Sequence, residues 1–321
     1  FLKSTNKKTY SLNNKEGKEI GKMTETELQD YFDKSNVSIA SNGVMYRTDK
    51  QGLIPALLEK WFNERVEMRK LVKKYHEQGD TDKEQYFDRR QHIQKIVLNS
   101  LYGVLGLPVF RFYDVDNAEA TTVTGQKLIK FTEKIANHYY NQILKTKEDY
   151  CIYTDTDSVF YEAAPLVKAR NPNIDVTSDE QMIPAILEVA QEVEKHINKV
   201  YDSMALKMFN IHSHRFDIKQ ETIAKGGFWV SKKRYAQWII NDNTVDCDKL
   251  DVKGLDVKRS SFPTYFKEVM STVLMDILKD ENKDKIDEYI LRKKDEMKTT
   301  NFIDIAKNSA VKGMSKYTFK N

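Results

Sequence analysis

Two long helical patterns joined by one short polar break constrain this chain most. Pro55 suits a first helical position, and Leu58, Trp61, Phe62, Val66 and Leu71 recur behind it at helical spacing through Lys74. Gln78-Gly79-Asp80-Thr81-Asp82 interrupts the pattern, and a second helical stretch follows from about Lys83 to Tyr102. So short a break predicts antiparallel neighbours, a helical hairpin.

The segments on either side set the fold class. Residues 1–22 are rich in Lys, Asn, Ser and Gly without sustained periodicity, and they read as an irregular surface segment. A short helix is expected from Met23 to Lys34, and Val44-Met45-Tyr46-Arg47 reads as a strand entering the turn Thr48 to Gly52. Further on, helical patterns cover Asn117 to Leu144 and Asp179 to Tyr201, the latter behind a Ser178-x-x-Gln181 capping box. Arg215 to Thr222, Phe228 to Asn241 and Val245 to Val252 are β-rich, with Asp242-Asn243 as a turn. Helices return from Pro263 to Leu278 and from Lys285 to Met297. This order predicts an α+β fold, an antiparallel sheet with helices on one face and a helical hairpin inserted ahead of it. There is no internal repeat.

Composition excludes several classes. With 321 residues the chain can bury a core and make two or three domains. No apolar run approaches the length that spans a bilayer, and no signal peptide is visible, so no membrane partner is expected. Cys151 and Cys247 stand alone, without Cys or His at ligand spacing, which predicts neither disulfides nor zinc and fits a reducing, cytoplasmic setting. The formal charge is only +4, from 52 basic and 48 acidic residues, so any affinity for nucleic acid must come from local clusters. The chain starts at Phe1, and Tyr317 to Asn321 end it without a cap or polar tail, so it is expected to be a piece of something longer.

Tyr153-Thr154-Asp155-Thr156-Asp157-Ser158 lies between two β-rich runs, a strand, tight turn and strand with two carboxylates at the tip. Asp and Thr in such a turn commonly serve only its own backbone. An acidic pair at an exposed tip also suits hard divalent cations, Mg2+ first among them. Two such ions can hold the attacking and leaving oxygens of an in-line phosphoryl transfer.

Arg65 and Arg69 are four apart, as are Lys95 and Asn99, with Tyr102 near the same stripe of the second helix. Charged helix faces are ordinarily just solvated. A triphosphate, however, needs several permanent cations, and Arg forks and a Lys point charge supply them. Lys232-Lys233-Arg234-Tyr235 falls within an apolar run read as one strand. Alternation there puts Lys233 and Tyr235 on one face with Trp229 and puts Lys232 and Arg234 on the other. Such a surface is either solvated or suited to a phosphate backbone and its bases. Asp217 and Glu221 on the preceding strand are weak candidates to approach the metal.

Three of these segments resemble family B DNA polymerases. The Tyr-x-Asp-Thr-Asp-Ser hairpin looks like the palm hairpin of that family, Lys95 to Gly103 looks like the fingers motif Lys-x-x-x-Asn-Ser-x-Tyr-Gly, and Lys-Lys-Arg-Tyr resembles the motif that holds the primer terminus. Lys253-Gly254-Leu255-Asp256 and Arg259-Ser260-Ser261-Phe262-Pro263 look like the start of the thumb, in a form closer to T-even-type phage polymerases than to cellular ones. The resemblance runs from about Val44 to the C-terminus. It implies a palm with an inserted fingers hairpin and a partial thumb: 1–54 an N-terminal palm-associated segment, 55–103 fingers, 104–252 palm, 253–321 the start of the thumb. It also implies two Mg2+ ions held by Asp157 with Asp155 in support, and dNTP contacts from Arg65, Arg69, Lys95, Asn99 and Tyr102. Primer-template DNA would be held by Lys232, Lys233, Arg234 and Tyr235. A phage or viral origin would put the protein in the host cytoplasm, and a sliding clamp or a separate N-terminal polymerase portion are further partners the resemblance admits.

Nothing in residues 1–60 resembles the first palm motif of the family, Asp-x-x-Ser-Leu-Tyr-Pro-Ser, and no proofreading exonuclease motif is present. The chain alone is therefore expected to be inactive, as part of a larger polymerase. The alternatives are a non-catalytic nucleic-acid-binding relative or one subunit of a split polymerase. Reverse transcriptases, primases and nucleotidyl cyclases share paired carboxylates, but the fingers and Lys-Lys-Arg-Tyr motifs argue against them.

Overall fold

The computed structural model describes residues 9–14, 16 and 18–309, and it is a mixed α and β structure in which every paired strand is antiparallel. The expected irregular start, residues 1–8, and the ending Tyr317 to Asn321 lie outside the described residues. The strands form three two-stranded sheets and one three-stranded sheet rather than the single sheet expected. The chain divides into two units, Phe1–Lys134 with His196–Asp217, and Ile135–Lys195 with Ile218–Asn321.

In the first unit, β1 (Thr9–Asn13) pairs with β2 (Glu19–Thr24), which corrects the irregular reading at residues 9–13 and 19–22. Asn14 makes the turn, its Oδ1 accepting from the backbone N–H groups of Glu16 at 3.1 Å and Lys18 at 2.9 Å. The polar composition concealed a hairpin held largely by its backbone. Helix α1 (Glu25–Lys34) starts at a capping box, Thr24 with Glu27, two residues after the expected start. Strand β4 (Met45–Arg47) pairs with β3 (Val37–Ile39), which the sequence reading missed.

The helical hairpin is α2 (Leu53–Glu77) and α3 (Thr81–Leu105). Pro55 stands third in α2, still within the turn whose N–H groups have no helical partner. Asp80 caps α3 by accepting from the Lys83 N–H at 3.1 Å. Neither helix buries a residue.

Helix α4 (Val115–Leu144) and the long α6 (Asp179–Phe209) each contribute to both units. In the first unit the buried Thr132 of α4 and Tyr201 of α6 share a hydroxyl hydrogen bond of 2.5 Å, and the Tyr201 and Phe209 rings meet Phe216 edge-on. Asn210, at φ 52, ends α6, and its side-chain amide donates to the carbonyls of Phe32 and Val37. At the other end of α6, Gln181 accepts from the Asp175 N–H, which replaces the expected return to Ser178.

The second unit holds β5 (Cys151–Asp155), β6 (Ser158–Tyr161) and the unanticipated α5 (Ala164–Arg170). Its three-stranded sheet is β7 (Thr222–Ser231), β8 (Arg234–Asp242) and β9 (Val245–Lys253). One core gathers Tyr140, Tyr150, Leu166, Val167 and Val189. A second sets Ala236, Val252 and Val257 against Leu274 and Leu278 of α7 (Thr264–Leu278). Helices α8 (Lys283–Glu296) and α9 (Phe302–Ile305) follow.

Three expectations fail around the three-stranded sheet. Residues 215–221 are not a strand, so Asp217 and Glu221 lie on an irregular segment, where the Glu221 carbonyl accepts from the Asn243 N–H at 2.7 Å. The run Phe228–Asn241 is two strands, not one. Lys232 and Lys233 form the turn between β7 and β8, with Lys233 at φ 62. The next turn is Asn243-Thr244, both at positive φ as a tight hairpin demands, one residue later than expected. No helix among the described residues is long and apolar enough to cross a membrane.

Candidate active site

The β5–β6 turn presents its two acids unequally. Asp155 pairs with Ser158 across the ladder, leaving Thr156 and Asp157 at the tip, and Thr156 sits at φ 57, an uncommon conformation for a β-branched residue. Asp157 is exposed. The Asp155 side chain is only 17% exposed and is ion-paired to Lys233 Nζ at 2.9 Å. The Thr156 hydroxyl donates to Asp155 Oδ1 at 3.0 Å and accepts from Lys233 Nζ at 2.9 Å, which closes a three-membered network around the strained turn.

The β7–β8 turn is bound into this network by its backbone as well. Lys233 N–H donates to Tyr153 Oη at 2.7 Å. Beneath it the two sheets meet through aromatic rings: Tyr153 lies 5.3 Å from Tyr235 and 6.4 Å from Trp229, and Phe160 lies 5.9 Å and 6.2 Å from the same two rings. Trp229 and Tyr235 share a face, as expected, but as cross-strand partners rather than through alternation along one strand. Lys233 lies in the turn rather than on a strand; its ammonium reaches Asp155, to which the Tyr235 hydroxyl also bonds, while Lys232 and Arg234 are exposed.

These contacts set the protonation states. Partial burial pushes the Asp155 carboxyl up. Hydrogen bonds from Lys233 and Thr156, the Lys233 charge and the Tyr235 hydroxyl outweigh this and hold it below the ordinary carboxylate range. The hydrogen bond to Asp155, then its charge, raises Lys233. Burial, then the Asp155 charge, pushes the Tyr235 hydroxyl up to about 12. At neutral pH the cluster is thus a carboxylate, an ammonium and a neutral phenol.

The donor set suits a hard cation in part. Mg2+ is usually held by one or two carboxylates, with water and substrate phosphate completing its shell, and Asp155 and Asp157 are such a pair. Among the described residues no group of three or more His, Cys, Asp or Glu side chains gathers as a metal site. The turn offers two carboxylates, one of which already carries an ammonium.

The other expected set lies on the helical hairpin, in the first unit. Arg69 on α2, and Lys95, Asn99 and Tyr102 on α3, are exposed; Arg65 is half-buried, with its Nε donating to Gln91 Oε1 at 3.3 Å. Burial and, second, the neighbouring Arg69 lower the Arg65 pKa. Sequence reasoning missed two groups that support the Lys233 turn: Tyr153, whose hydroxyl accepts from its N–H, and Gly254, where a Cβ would come within 2.1 Å of its carbonyl. Tyr153 was visible in the acidic hexapeptide and Gly254 in the thumb motif, but nothing in the sequence connects either to Lys233.

A family model for DNA polymerase family B matches residues 5–321, and the chain belongs to that family. Among its relatives are the DNA-directed DNA polymerase of Escherichia phage RB69, 27% identical over 342 residues and covering 87% of this chain and 37% of the relative. The DNA-directed DNA polymerase of Enterobacteria phage T4 is 28% identical over 240 residues, 71% of this chain and 26% of the relative. The DNA polymerase of Archaeoglobus fulgidus is 26% identical over 257 residues, 79% and 27% respectively. The chain thus spans between 26% and 37% of the length of these curated relatives.

Proposed function

We propose that this chain is part of a DNA-directed DNA polymerase, in which it helps transfer a nucleotide from a dNTP to a primer 3′ hydroxyl on a DNA template. The observation that carries the reading is the joining of the Asp155–Asp157 turn to the Lys232–Tyr235 turn within one unit, in a chain that belongs to family B. The helical hairpin would be the fingers, the segment from 104 to 252 the palm, residues 253–321 the start of the thumb, and residues 1–54 a palm-associated segment.

Asp157, exposed at the tip, and Asp155 beside it would hold two Mg2+ ions. When bound, these would supply the positive charge that activates the primer hydroxyl and stabilises the leaving pyrophosphate. Arg65, Arg69 and Lys95 would bind the triphosphate, Asn99 would orient it, and Tyr102 would pack beside the nascent base pair. Lys232 and Arg234, both exposed, would hold the primer-template duplex, with Lys233 shared between that duplex and Asp155; Tyr235, expected from the sequence to touch DNA, is buried beneath the turn and would support it instead. Asp217 and Glu221, off any strand, are assigned no role. The chain spans only 26% to 37% of the relatives named above, and we expect it to extend nothing by itself.

The test is made in the complete polymerase that contains the chain. Asp157→Ala should lower primer extension by about a hundred- to a thousandfold, as loss of a group stabilising transition-state charge does, with primer-template binding retained. Extension at a near-normal rate would sink the assignment. Salt-dependent DNA binding with no extension even by the unaltered complete protein would instead make it a binding relative or one subunit of a split enzyme.

A further inference from the structure

Lys233 is fixed at its backbone and open to solvent at its paired tip. Its N–H is held by Tyr153, its φ is 62, and its carbonyl lies so near Gly254 that a Cβ there would come within 2.1 Å of it. Its side chain remains 62% exposed while the carboxylate it covers is 17% exposed. An ammonium open to solvent therefore sits on the more buried acid of the candidate metal pair. It uses Asp155 Oδ1 itself, at 2.9 Å. A divalent cation arriving at that oxygen would meet a like charge at close range, which both repels it and costs it a ligand. The same ammonium, reachable from outside, can turn toward an external anion without any change in the anchored backbone.

We propose that Lys233 is a displaceable internal counter-ion, which holds Asp155 while the divalent ion is absent and releases it when DNA draws the ammonium away. This rests on the reading that the turn binds a divalent cation. Linkage then makes the effect mutual: primer-template tightens ion binding, and the ion tightens primer-template binding.

The experiment is a Mn2+ titration of the whole chain followed by electron paramagnetic resonance, with and without a DNA duplex bearing a recessed 3′ end. Without DNA, Lys233→Met should bind Mn2+ about fivefold tighter than the unaltered protein, the size expected from removing a partly exposed ion pair. Adding the duplex should bring the unaltered protein up to the variant and change the variant little. Lys233→Arg, which keeps the charge, should behave as the unaltered protein, and Lys233→Gln provides a second neutral variant should Met disturb the turn. Neutral variants that bind Mn2+ no tighter than the unaltered protein overturn the proposal. Asp155→Asn and Asp157→Asn separate the failures: if they abolish Mn2+ binding, only the role of Lys233 has failed, and if they leave it unchanged, the metal reading of the turn fails with it.

Discussion

The helical hairpin Leu53–Leu105 and the strand cluster around Tyr153 use the same kinds of side chain, cations among acids and aromatics, in opposite ways. The hairpin buries none of its residues, and Arg69 and Lys95 point their charge outward. In the cluster, Tyr235 is 4% exposed, Asp155 is paired, and the strained Thr156 is bonded on both sides. A charge on the first surface contributes little to folding and stays open to solvent. A charge in the second is part of the structure that aims it, so altering it changes stability and chemistry together.

The largest stability effect should come from the glycine that closes the cluster. Gly254→Ala puts a Cβ against the Lys233 carbonyl at a residue with φ 65, and we expect a loss of about 2–4 kcal/mol in urea denaturation from strain and overpacking. A change below half that would mean the turn yields easily and is no rigid platform. By contrast, Arg69→Ala should shift stability by less than about 0.5 kcal/mol, because it removes an exposed charge from a helix with no buried residue. A larger cost would break the comparison by showing that the hairpin surface supports the fold.

The smallest effect is the pH dependence of the Asp155–Lys233 pair. The folded-state pKa of Asp155 lies below its ordinary value of 3.8, so its share of stability is present above that value and is lost as pH falls through the lowered one. Lys233 is raised above 10.5, so its share is complete below that value and is lost as pH rises through the raised one. The stability difference between the unaltered protein and Lys233→Met should thus be flat through neutral pH and shrink only in strong acid or strong base. Chemical denaturation across that range checks it, and a difference that changed between pH 5 and 8 would mean the pair does not carry these charges.

Much of this was legible in the chain, and the rest was hidden for physical reasons. The helices α2, α3, α4 and α6 announce themselves through long apolar periodicity, and the acidic hairpin through β-rich runs on either side of Asp155 and Asp157. The strands β1 to β3 did not, because strands this short, satisfied by backbone pairing, leave little apolar pattern. The Lys232-Lys233 turn was misread because it contains no Gly, Asn, Asp or Pro. Its positive φ is supported from afar, by Tyr153 and by the space at Gly254. Both members of the Asp155–Lys233 pair were singled out from sequence as candidates, but 78 residues separate them, and only the packing of two sheets brings them together.

The division of labour between the two regions is tested most directly by single-nucleotide incorporation in the complete polymerase, followed by rapid quench over a range of dNTP concentrations. The account predicts that Lys95→Ala raises the apparent Kd for dNTP by about tenfold or more, the loss of one charge-assisted contact, with the maximal rate little changed. It predicts that Asp155→Asn lowers the maximal rate with that Kd little changed. The reverse pattern, or two variants with the same profile, would contradict it.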